Sequence, residues 1–223
     1  CEIRGSVAYG VMINEEGRVR CDQCVISGFT DHSFVLDHGG HVLLVDSEIS
    51  GTSGSPEGCS TTDSNRRCSS SCTGVMAYSI PAVAQATITG KRGERVVPCA
   101  DATLVRCTLS GLQRPVLADG GGQIVMVACT TSGNASPPAV EKGGHLHLLG
   151  CRLGDGSQPS APPHAELVVE QEAGPAGQPG GAIPGAELFI REAQEDINYR
   201  EEGAGPFKTM AFNGLGDDGF VWV

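Results

Sequence analysis

The chain has 223 residues, a formal net charge of −11 at pH 7, 32 glycines and an aromatic share of only 4%. That length supports one or two domains with a real core, and the acidic balance argues against a nucleic-acid partner, whose phosphates need Lys/Arg patches. No stretch approaches about 18 uninterrupted apolar residues, so no membrane-spanning helix is expected, and few aromatics with many small residues suit thin, repeated layers.

In chain order, Cys1-Glu2-Ile3-Arg4-Gly5 opens the sequence and returns as Cys24-Val25-Ile26-Ser27-Gly28, an interval of 23 residues. One template (apolar, x, apolar, x, x, small or Cys, x, apolar, x, Gly) fits Val19 to Gly28 and Val42 to Gly51. It fits Pro81 to Gly90 more loosely, then Ala102 to Gly111, Ile124 to Gly133 and Leu146 to Gly154. Its sixth position reads Cys24, Ser47, Ala86, Cys107, Cys129 and Cys151, at intervals of 23, 39, 21, 22 and 22 residues. A small residue stands two positions before the template at Gly17, Gly40, Ala100, Gly122 and Gly144. Upstream of it lie alternating apolar pairs: Val11/Ile13, Phe34/Leu36, Val116/Ala118 and Pro138/Val140. The long interval reads as one period plus an inserted loop, residues 52–74.

Alternation within each half of the template predicts strands with one buried face, and the x-x step predicts a bend between them. Antiparallel hairpins would need turn signals about every 8–12 residues, without identity of phase over the longer period. One coil of about 22 residues per repeat, with equivalent residues stacked about 4.8 Å apart, accounts for the pattern. Over residues 1–154 this repeat resembles the right-handed parallel β-helix of the pectin-lyase-like superfamily. The resemblance implies an all-β solenoid. Because Cys1 already occupies the sixth template position, a longer β-helix is expected to continue N-terminal to it. Residues 155–223 turn rich in Pro, Gly and Ala and are read as irregular final coils and a tail covering the open end, with strands expected at Glu166 to Val169 and Glu187 to Ile190.

The residues that bear chemistry divide into four groups. The sixth-position cysteines are expected to face the core as small hydrophobes. Cys21-x-x-Cys24 falls on core positions, so it is not taken as half a zinc site, and no metal or cofactor is expected. Cys59, Cys68, Cys72 and Cys99 lie off the column and are disulfide candidates that would tie down the inserted loop; Asn134-Ala135-Ser136 is a glycosylation sequon in a turn. Asp37, Asp119 and Glu141 share one corner, a weak candidate for Ca²⁺ or glycan that reads more readily as a solvated strand end. A threonine column (Thr87, Thr108, Thr130) is too narrow and too flanked by charge to bind ice.

The scaffold resemblance raises polysaccharide lyase or glycoside hydrolase activity, yet the outward columns (Arg18, His41, Asp101, Gln123, His145 and Arg20, Leu43, Thr103, Val125, His147) contain no clustered acid pair. His41, His145 and His147 read as solvated. The first x of the bend is apolar at Val45, Ala84, Val105, Val127 and Leu149, with Leu43 and Val125 nearby. Either these tuck into the core or they form an outward stripe that binds a partner. The expectation is a non-catalytic structural or adhesive segment of a larger protein, extracellular or at the cell surface, that binds a protein or glycan along its side. The alternatives are a carbohydrate-active enzyme and an intracellular scaffold subunit of a large assembly.

Overall fold

The computed structural model describes residues 1–5, 9–14, 17–37, 39–51, 72–79, 99–154, 158–159, 161–162, 165–170, 189–191 and 193–194. The alternating runs fold as short strands. In chain order the first five turns of the chain each contribute three strands. They are β1 (Glu2–Arg4), β2 (Tyr9–Ile13) and β3 (Arg18–Asp22); then β4 (Val25–Ser27), β5 (His32–Asp37) and β6 (His41–Val45). Next come β7 (Glu48–Ser50), β8 (Thr73–Tyr78) and β9 (Asp101–Val105); then β10 (Thr108–Ser110), β11 (Arg114–Asp119) and β12 (Gln123–Val127). The last are β13 (Thr130–Ser132), β14 (Ala139–Val140) and β15 (His145–Leu149), followed by β16 (Arg152–Leu153) and β17 (Glu166–Glu170).

Successive strands rotate through three sheets. Sheet A orders β1-β4-β7-β10-β13-β16, sheet B β14-β11-β8-β5-β2 and sheet C β17-β15-β12-β9-β6-β3. Every pairing is parallel and in register, for example Leu109 with Thr131 and Met126 with Leu148. The chain is therefore all-β, a stack of parallel strands arranged as a β-helix-like solenoid. The inward columns Val11/Ile13, Phe34/Leu36, Val75/Ala77 and Val116/Ala118 meet Leu44, Leu104, Met126 and the Ile26–Ile49–Leu109 column in one core.

Local chemistry sets the corners. At the bend between sheets C and A, Gln23, Asp46, Arg106 and Ala128 adopt φ of 48–54° and Gly150 56°. The N–H of each non-glycine member donates to the next coil, as Ala128 N does to Leu149 O at 2.9 Å. At the corner before sheet C the small residue is demanded by close approach. A Cβ on Gly122 would lie 2.3 Å from Ala77 O, and one on Gly144 2.4 Å from Ala118 O.

Three sequence expectations are corrected. No coil at 81–90 separates the second template from the fourth: β7 pairs directly with β10 and β6 with β9, and Thr108 N donates to Ser47 O at 2.9 Å. Ser47 and Cys107 are thus neighbours in the column, and β8 is the sheet B strand described between them. Thr73 and Gly74 belong to that strand and not to the inserted loop, while residues 52–71 and 80–98, with Ala84, Ala86, Thr87 and Val97, lie outside the described residues. At the C-terminal end the strand expected at Glu166 to Val169 forms as β17 and pairs with β15. Phe189 and Ile190 are helical rather than extended, together with Arg191, Ala193 and Gln194. Among the described residues no helix is long and apolar enough to cross a membrane.

Candidate functional site

Sheet C carries the most distinctive outer surface. Its strands alternate, so Val42, Leu44, Ala102, Leu104, Ile124 and Met126 point into the core while Leu43, Val45, Val105 and Val127 point away from it. The latter four are 0–5% exposed, yet they belong to two clusters separate from the core. Register aligns Val45, Val105, Val127 and Leu149 across four adjacent coils. The side chains packed on them come from the helical residues near the C-terminus. Ile190 and Ala193 sit on Leu43 and Val45, and Phe189 and Ile190 on Val105, Val127, Val125 and Leu149. Arg20, one coil below, donates to the Gln194 side-chain oxygen at the edge of this contact. The stripe is thus neither in the core nor open to water: it faces outward and holds an apolar peptide segment of its own chain. Phe189, Ile190 and Ala193 lie along the side of the stack, whereas β17 pairs with β15 at its end.

Around the stripe, charges pair locally. Arg20 holds Asp22 at 2.7 Å, and His145 Nδ1 lies 2.8 Å from Glu166. Arg106 clasps Asp46 with two nitrogens at 2.7 and 2.9 Å, and that guanidinium holds the Asp46 carboxyl below the usual carboxylate range. His41 and His147 are half-buried on the same face.

The acidic corner behaves differently from a cation site. Asp37 and Asp119 flank Tyr78 in register, so two coil spacings, about 10 Å, separate them. Asp119 is only 7% exposed; its Oδ2 lies 3.7 Å from Lys142 Nζ and its Oδ1 is buried without a partner among the described residues. Glu141 instead meets Arg114 at 3.3 Å. Asp119 and Glu141 answer to different cations, and among the described residues no three His, Cys, Asp or Glu side chains are placed to hold a metal ion.

Two of the four disulfide candidates fall on described residues. Cys72 and Cys99 are free thiols, and Cys59 and Cys68 lie outside the described residues. The length of β8 stands between Cys72 and Cys99, about 20 Å at strand rise, far beyond the roughly 7 Å that a disulfide spans. The Cys72 thiol donates to Phe29 O at 3.2 Å, and burial pushes its pKa up, with Asp31 adding to the effect. The sequon residue Asn134 is half-buried, and its amide bridges to the neighbouring coil. Leu112 N donates to Oδ1 at 2.9 Å, and Nδ2 donates to Leu109 O at 3.1 Å. The nitrogen that a glycan would modify is thus engaged in holding a turn. The outward column on sheet A reads Glu48, Thr108, Thr130, Arg152.

Core thiols and one hydroxyl form a repeated motif. Ser47 Oγ donates to Val45 O and Cys21 O, and the thiols of Cys107, Cys129 and Cys151 make the equivalent contacts to Val105 and Leu44, Val127 and Leu104, and Leu149 and Met126. Burial, then the adjacent Cys24, pushes Cys21 up to about 12. Sequence reasoning missed one titratable cluster: the Tyr9 and His32 rings stack at 5.6 Å, and Asp31 bonds the Tyr9 hydroxyl and lies 3.5 Å from His32. Burial lowers the pKa of His32, which favours the neutral ring. The signal in the sequence was the register itself, which puts Tyr9 opposite His32. No family model, no curated protein and no solved structure matches the chain.

Proposed function

We propose that the chain is a non-catalytic structural or adhesive segment of a longer protein. In this reading it is a right-handed parallel β-helix of the pectin-lyase-like kind, and the outer face of sheet C is its docking surface for protein. One observation carries the reading. Leu43, Val45, Val105 and Val127 make a continuous outward stripe that already seats the apolar side chains of Phe189, Ile190 and Ala193. A surface with that chemistry recognises the apolar face of a polypeptide better than it recognises a sugar.

The test uses the chain with Phe189→Asp and Ile190→Asp, which removes the internal occupant. A labelled peptide spanning residues 185–196 should bind this variant in trans, and adding Val105→Asp should abolish the binding. Absence of binding removes the docking reading. Turnover of acidic polysaccharide, lost on Asp119→Asn or Glu141→Gln, would replace it with the carbohydrate-active enzyme. A second reading, an intracellular scaffold subunit, is favoured by the free thiols at every described cysteine. Mass spectrometry of the natural protein decides between them, because an exported chain should carry Cys59 or Cys68 in disulfides.

A further inference from the structure

Among the described residues the thiol column ends at Cys151. Sheet A stops at β16, and Cys151 immediately precedes that strand. Below it, Cys129 and Cys107 are 0% and 1% exposed, whereas Cys151 is half-buried. Thr130 N donates to Cys107 O at 2.9 Å and Arg152 N to Cys129 O at 2.8 Å, which fixes the three cysteines at equivalent places in successive coils. Cys129 Sγ lies 3.5 Å from Val127 O and Cys151 Sγ 3.6 Å from Leu149 O, the same inward pose one coil apart. Equivalent residues of adjacent parallel strands are about 4.8 Å apart, inside the roughly 4.4–6.8 Å Cα window of a disulfide.

We propose that Cys151 and Cys129 are a hydroperoxide-sensitive thiol pair, with Cys151 the attacked sulfur and Cys129 the resolving thiol. The Cys151 thiolate attacks one peroxide oxygen, the O–O bond breaks, and the departing hydroxide takes up the proton lost from the thiol to leave as water. The Cys151 sulfenic acid then reacts with the Cys129 thiol, the S–S bond forms, and a second water leaves. Two thiols lose two electrons and hydrogen peroxide gains them, so two waters and one coil-to-coil disulfide result.

The electrostatics assign the same roles. A hydrogen bond from Cys129 holds Cys151 below the ordinary thiol range despite its burial, favouring the nucleophilic thiolate. Burial pushes Cys129 well above that range, with bonds to Cys107 and Cys151 adding to the effect. Cys107 has a similar neighbour, but at 1% exposure no oxidant reaches it.

Full chain, reduced and then exposed to hydrogen peroxide while folded, should yield a Cys129–Cys151 peptide on non-reducing mapping. The exposed thiols Cys1 and Cys99 report the oxidant dose in the same digest. Cys151→Ser should lose the linkage, and Cys129→Ser should leave a Cys151 sulfenic acid that dimedone captures. Serine fits the column, since Ser47 already occupies it. The proposal is overturned if Cys151 stays a thiol at doses that oxidise Cys1 and Cys99. It is equally overturned if Cys151 proceeds to sulfinic acid beside an unreacted Cys129, or if the linkage forms only in denaturant.

Discussion

Met126 and Val127 are consecutive, both 0% exposed, and buried on opposite faces of β12. Aspartate at each should therefore fail differently. In Met126→Asp the carboxylate enters the coil core, and nothing short of opening the stack hydrates it. An unpaired buried charge costs about 3–5 kcal/mol, added to about 2–5 kcal/mol for the lost apolar side chain. Against a typical stability of about 5–15 kcal/mol, that removes most or all of the fold. In Val127→Asp the charge reaches water as soon as Phe189 and Ile190 lift away. Its cost is capped by the free energy of undocking that segment, about 2–4 kcal/mol on the scale of one or two buried aliphatic side chains. Hydrogen exchange read by mass spectrometry should show Val127→Asp losing protection at residues 189–194 while β9, β12 and β15 keep theirs. Combined with Ile190→Asp, the second substitution should add little, because the two share one contact. Loss of strand protection in Val127→Asp comparable to that in Met126→Asp would refute the assignment, as would undiminished protection at 189–194.

Three further outcomes are expected. Asn134→Ala strands Leu112 N and Leu109 O and should cost about 2 kcal/mol in urea unfolding, and unmodified Asn134 should be found whatever the source of the protein. Because the folded pKa of Asp46 is depressed, its pairing with Arg106 contributes stability above the unfolded carboxylate pKa and loses it as pH falls through the folded value. The pair is well exposed, so Arg106→Ala should cost at most about 1 kcal/mol, should be salt-sensitive, and should flatten the acid limb of a stability–pH curve. Ala128 has φ of 54°, where a Cβ is unfavourable, so Ala128→Gly should raise the midpoint of thermal unfolding, worth about 0.5–1 kcal/mol.

Periodicity carried most of the fold into the sequence. Stacking forces every coil to present the same inward residues, so the Cys24, Ser47, Cys107, Cys129, Cys151 column is visible as a repeat. The coil assigned to 81–90 shows where template matching fails. Ala86 satisfied the sixth position, but the residue two places before that template is Ser79 and not Gly or Ala, and the apolar pair Val75/Ala77 lies six and four places upstream where the other copies have eight and six. Those features matter because the small residue sits against a carbonyl of the adjacent coil. That pair belongs to Thr73-Gly74-Val75-Met76-Ala77, whose first two residues overlap the expected loop 52–74, and the segment is the sheet B strand of the coil.

The stripe was undecidable from the repeat alone, for a physical reason. A residue just before a bend reads apolar whether it turns into the core or lies under another segment, since both remove it from water equally. Val105 and Val127 are as buried as Leu104 and Met126, yet they point the other way, so hydropathy cannot distinguish them. What separates them is the partner, and the partner lies more than 60 residues downstream of Val127, in Phe189, Ile190 and Ala193, with no periodicity linking it to the coils. A solenoid makes its own core from neighbours one repeat away, so a second apolar column on an outer face demands an occupant from outside the repeat. In this chain the described occupant is its own C-terminal segment. The face that holds it spans β6, β9, β12 and β15, so any protein that competes for it must present apolar side chains across several coils at about 4.8 Å intervals.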